Sequence, residues 1–183
     1  MHPTYYFDDP EQGLSRETSH PRFLELAGED FYYDCGDDFS PLGNDAGADT
    51  LSFLEDWYRN GGQDSEAIQF LTDLLADWAL GVPAHLTRAN PNEIEAWLKE
   101  DDLHESFLLS ECQARVATAF GQLKITGRVD SGILAEGLAA ISCRLWINER
   151  ARRIHPDWRF ADENDARLRT MQAVLKRLQF GPE

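Results

Sequence analysis

The chain has 183 residues, 42% of them hydrophobic and 11% aromatic, with 33 acids against 17 Lys and Arg and a formal net charge of −16. That length and apolar content suit one folded domain with its own core, and they exclude a disordered acidic tail. The charge excludes a generic binder of nucleic acid or anionic lipid, and it favours a basic protein surface or cations as partner.

The charge is unevenly spread: residues 1–110 carry a net −19 and residues 111–183 a net +3. No apolar run is long enough to span a bilayer, and the start MHPTYYFDDP has neither a basic head nor an apolar signal core, so the expected location is the cytoplasm. Cys35, Cys112 and Cys143 are odd in number and form no C-x-x-C pair. They read as ordinary thiols and not as a disulfide framework or zinc site.

Residues 1–44 read as an irregular, aromatic and acidic segment packed on a helical body over 45–180, the whole forming one domain. Proline and glycine at Pro3, Pro10, Gly13, Pro21 and Gly28 break any sustained period, leaving one short helical turn near residues 22–27. Two aromatic runs, Tyr5-Tyr6-Phe7 and Phe31-Tyr32-Tyr33, are each followed by aspartate and fit either a minor strand pair or two packed turns. Residues 36–44 are dense in turn formers.

Six helices follow. The first runs over about 45–60, with Leu51, Leu54, Trp57 and Tyr58 on one face and Gly61-Gly62 as its stop. Asp64 is placed to cap the second, whose expected apolar face is Ile68, Leu71, Leu75 and Trp78. Asn90-Pro91-Asn92-Glu93 predicts the third by its cap, its proline at the first helical position and its glutamate three residues past the cap. Residues 103–126 predict the longest helix, with Leu108, Cys112, Val116, Ala119, Phe120 and Leu123 at helical spacing and Gly127 as its end. Two more are expected after Asp130 and over about 162–178. The expected fold class is an all-α, single-domain bundle of about six helices.

No motif names a reaction, and the expectation is a protein that is not an enzyme and needs no cofactor. Asn44 to Asp49 has the alternating carboxylates and glycine of a calcium loop, but its spacing is wrong and the bidentate glutamate is missing. A magnesium or calcium site remains as an alternative, a metal-binding protein or metal-dependent hydrolase built from Asp37, Asp38, Asp45 and Asp49. Asp73 and Asp77 share a helix face and read as solvated. His104-Glu105 begins like a zinc-protease helix but lacks the second histidine four residues on, and His2, His20, His85 and His155 form no ligand pair. Arg144, Arg150, Arg152 and Arg153 cluster near a helix end, where dipole complementarity and ion pairs to the acidic half explain them better than nucleic acid does.

The stretch Asp38-Phe39-Ser40-Pro41-Leu42-Gly43-Asn44-Asp45-Ala46-Gly47-Ala48-Asp49 resembles a family of uncharacterised bacterial proteins typified by YfeS. Its Gly-Asn-Asp start and later aspartate are also loosely similar to small domains found among toxin-immunity genes. That resemblance carries no activity; it implies that Gly43, Asn44, Asp45, Gly47 and Asp49 form a structural signature. The functional expectation is an acidic, cytoplasmic, protein-binding protein, most concretely an immunity protein that neutralises a basic toxin such as a nuclease. Tyr32, Tyr33, Asp34, Asp37 and Asp38 are its expected contacts, because aromatic area beside carboxylates is what an interface anchor needs.

Overall fold

The structure is a computed structural model, and it describes residues 4–180; His2 lies outside them. The described residues form seven α-helices and no strand: α1 (Pro21–Leu26), α2 (Asp45–Arg59), α3 (Ala67–Trp78), α4 (Pro91–Leu98), α5 (His104–Thr126), α6 (Ser131–Ile154) and α7 (Ala161–Phe180). The all-α class is as expected, with the short turn near residues 22–27 standing as a helix in its own right. The strand pair is not formed. Tyr5 to Phe7 is unpaired by any strand, and Asp30–Tyr33 is a 3-10 turn.

The caps start and stop the helices largely where the sequence puts them. Asn44 Oδ1 accepts from the Gly47 N–H at 2.8 Å, Asn90 Oδ1 from Asn92 and Glu93 at 3.1 Å each, and Asp130 Oδ1 from Gly132 at 2.8 Å. Each satisfies donors that the first helical turn leaves open. Gly127, at φ 72°, closes α5. Two expectations shift. Asp64 does not cap α3; it lies in a 3-10 turn and its carboxylate accepts from Tyr58 Oη at 2.9 Å and pairs with Arg128 at 2.7 Å. Glu93 does not return to its cap residue, since its carboxylate meets His85 Nε2 at 2.8 Å.

α5 is the axis of the molecule. Nearly every residue from Glu111 to Thr126 is buried, on all sides, because α2, α3, α6 and shorter elements surround it. A helix buried all round is a central helix, and the small residues Ala114, Ala117, Ala119 and Gly121 let its neighbours approach closely. On α6, Gly137 leaves room where α5 and α7 converge: a Cβ there would stand 3.0 Å from both Ala119 Cβ and a Leu175 methyl. α3 turns the face of Phe70, Leu71 and Leu74 inward, so Ile68, expected in the core, is 39% exposed. The rest of the expected face holds, Leu71 being buried and Leu75 and Trp78 packed against the core, while Phe70 fills the place beside Trp57 at 5.4 Å between ring centroids.

The N-terminal segment is tied to the last turn of α5. Tyr6 N donates to Ile125 O at 3.0 Å and His20 N to Lys124 O at 2.9 Å, satisfying carbonyls that a helix end leaves free. Lys124, fully buried, reaches back with its ammonium to Asp8 at 2.7 Å, Glu55 at 2.8 Å and the Tyr6 carbonyl at 3.1 Å. Glu55 in turn accepts the Asp8 N–H at 2.8 Å. One lysine thereby joins the N-terminal strap, α2 and α5.

Candidate functional site

The resemblance stretch is a loop folded on itself at the head of α2. A Cβ at Gly43 would stand 2.8 Å from the Asp37 carbonyl oxygen and closer still to that of Asp34, so only glycine lets the two loop strands touch. A Cβ at Gly47 would meet the Pro41 carbonyl in the same way. Asn44 is buried and works at both ends, its Nδ2 donating to Ser40 O at 2.7 Å while Oδ1 caps α2. Asp45 lies exposed in the first turn of that helix, where its positive end favours a carboxylate, and Asp49 lies exposed just beyond that turn.

The expected contact residues divide. Tyr32 is 1% exposed: its ring stacks on Phe120 at 5.4 Å, and burial pushes its phenol up, out of reach of any partner. It belongs to the core and not to a contact surface. Tyr33 is half-buried, with its Oη donating to Ala27 O at 2.9 Å and Arg16 over its ring at 4.3 Å. Asp34, Asp37 and Asp38 do come together. With Phe39, Phe160, Glu163 and Arg167 they line a depression of about 430 Å³. Asp34 and Asp37 are fixed by their own turns, accepting from Gly36 N and Phe39 N at 2.8 Å. Arg167 lies over the Phe31 ring at 4.3 Å, 3.5 Å from Asp37 and 3.6 Å from Glu163. Four carboxylates thus line a depression with one guanidinium, which pairs with two of them, beside the rings of Phe39 and the 40% exposed Phe160.

Among the described residues no three His, Cys, Asp or Glu side chains are grouped to hold an ion. Asp37 turns toward Arg167, whereas Asp45 lines a different depression, of about 400 Å³, which Asp38 borders as well. Asp73 accepts from Gln69 at 2.8 Å on an exposed helix face. His104 stacks on Trp97 at 3.8 Å with Nδ1 against the Trp97 carbonyl, so it has a packing role. His20 caps α1 through Nδ1, and burial and the charges of Arg22 and Arg128 lower its pKa, which keeps that nitrogen an acceptor.

Sequence reasoning missed two places. One is a cavity of about 480 Å³ with apolar walls from Ile68, Leu71, Leu75 and Val82 and charged lining from Glu111, Arg115 and Glu136. Arg115 holds Glu111 at 3.1 Å and also pairs with Glu136, which Arg88 meets at 2.8 Å. Burial raises the Glu111 carboxyl against the opposing pull of Arg115. The four-residue spacing of Glu111 and Arg115 was a visible signal, but their burial was not. The second place is Arg144. Within the basic cluster, Arg150 pairs with Glu95 at 2.8 Å and with Glu105, and Arg152 with Asp162 at 2.7 Å; Arg144 pairs with no carboxylate among the described residues.

Among the described residues no helix is long and apolar enough to cross a membrane. No family model matches the chain, and no solved structure matches it. It is 33% identical over 139 residues to the uncharacterized protein YfeS of Escherichia coli (strain K12), a match covering 75% of this chain and 55% of that protein. The chain thus spans about half the length of this curated relative, and the similarity reaches far beyond the twelve residues of the loop.

Proposed function

We propose that this chain is a member of the YfeS-like group that acts in the cytoplasm as a binding protein for a basic protein partner, and not as an enzyme. In its most specific form it is an immunity protein that covers the phosphate-binding surface of a toxin such as a nuclease. The observation that carries this reading is the depression in which Asp34, Asp37, Asp38 and Glu163 outnumber the single Arg167, beside Phe39 and Phe160. A lysine or arginine from a partner would lay its aliphatic stem on the two rings and its charge among the carboxylates. The −19 imbalance of residues 1–110 supplies the longer-range attraction that speeds encounter with a basic surface.

The test is capture by the tagged protein from its own bacterium's lysate, run beside an Asp34→Lys/Asp38→Lys/Glu163→Lys variant. The expected result is one basic protein held in near-equal amount by the wild type, released by salt, absent from the variant, and suppressed in activity when bound. Equal retention by the variant, or unaltered activity of the bound protein, would sink the reading.

A further inference from the structure

Arg144 is 3% exposed, and neither its Nε nor its Nη1 has a hydrogen-bond partner among the described residues. Every other base held in or near the core has carboxylates: Lys124 has Asp8 and Glu55, Arg115 has Glu111 and Glu136, Arg150 has Glu95 and Glu105. In a chain of 33 acids, a buried guanidinium without one is an exception that asks for a cause. Burial lowers its pKa only to about 10, so the group stays charged at neutral pH.

Arg144 forms the shared floor of two adjoining depressions, of about 400 and 330 Å³, which also share Leu109, Trp158 and Asn164. Each has the size of a small-molecule site. A second orphan lies in the same wall. Asn148 must point its Nδ2 at the Ala161 carbonyl, 2.9 Å away, so its Oδ1 faces Asn164 and takes that residue's Nδ2 at 3.1 Å. That chain of bonds fixes the orientation of Asn164 and leaves its buried Oδ1 as an acceptor with no donor. The site thus offers guanidinium donors, one acceptor, and apolar wall from Leu109, Ile147 and Trp158.

We infer that Arg144 and Asn164 form a binding site for a small organic carboxylate that carries an apolar body and an N–H or O–H donor. The carboxylate takes the two-pronged bond that a guanidinium makes best, the donor meets Asn164 Oδ1, and the body lies against Trp158. A free cation is repelled by Arg144. A dianion such as phosphate meets Asp38, Asp45 and Glu105 on the rims and has no use for the apolar wall. This site is distinct from the acidic depression, and neither reading depends on the other.

The probe is anthranilate, which combines a carboxylate, an aromatic ring and an N–H donor, titrated by calorimetry into the whole protein. Its neutral isostere anthranilamide and inorganic phosphate serve as comparisons. The expected result is saturable heat with anthranilate, at least tenfold weaker binding of both comparison ligands, and loss of anthranilate binding in Arg144→Met at an unlowered melting temperature. Should Arg144→Met fail to fold, the wild-type affinities still decide, together with the Arg144 Nε–H resonance, which anthranilate should shift. No saturable heat with anthranilate, equal binding of the amide, or an Arg144 signal that does not move would overturn the assignment.

Discussion

Two buried cations on neighbouring helices meet opposite fates. Lys124 on α5 is fully enclosed and holds two carboxylates and a backbone carbonyl; Arg144 on α6 is almost as enclosed and holds none. Moving a charge out of water is costly, and that cost is offset only where partners and hydrogen bonds replace hydration. At Lys124 they do, and the result is mechanical: the N-terminal strap, α2 and α5 become one unit. At Arg144 nothing within the described residues does so, although Asp38, Asp45 and Glu105 line the depressions above it. Buried charge in this protein therefore serves two ends, one structural and complete, the other open toward two cavities.

The largest effect that sharpens this contrast is expected at the paired site. Glu55→Ala removes the carboxylate that holds Lys124, Asp8 N and Arg59 together. It should destabilise the fold by about 3–5 kcal/mol in urea unfolding at neutral pH, because it leaves a buried ammonium half-paired. Gly43→Ala should cost about 1–3 kcal/mol or more, since its methyl meets two backbone carbonyls that cannot rotate away. Glu111→Gln tests a buried carboxylate whose pKa is raised, mainly by desolvation. A raised folded pKa means that this group favours folding below its unfolded pKa, and that the benefit is lost as pH rises through the folded value. Glu111→Gln should thus melt higher than wild type at neutral pH, with the gap closing as pH falls through the carboxylate range. Smallest of all, Asp34→Lys/Asp38→Lys should shift stability by no more than about 0.5 kcal/mol, both side chains being exposed, while abolishing capture of a basic partner at low salt.

How much of this was legible depended on range in sequence. Asn44, Asn90, Asp130 and Gly127 act on backbone within a turn of themselves, so the caps and stops could be read directly. The close fit around Gly43 was signalled only by the resemblance, because the carbonyls it spares lie six and nine residues upstream. Tyr32 was misplaced on the surface because an aromatic triplet in a loop has no period to show which ring turns inward. In the fold, Tyr32 meets Phe120, far along the chain. Lys124 and Glu55 are 69 residues apart, and no local pattern announces their bond. Arg144 was harder still. In sequence it stands close to the arginines of a helix end, where dipole complementarity explains bases well, and only the packed structure places it in the middle of α6 and separates it from Arg150 and Arg152.

The most direct test of the contrast is urea unfolding of Lys124→Met and Arg144→Met side by side at neutral pH without added ligand. The account predicts opposite signs. Lys124→Met, which strands two carboxylates, should lose about 3–5 kcal/mol, and Arg144→Met, which removes an uncompensated buried charge, should hold or raise the unfolding midpoint. If Arg144→Met unfolds as early as Lys124→Met, then Arg144 is satisfied within the fold and is not held open for a ligand.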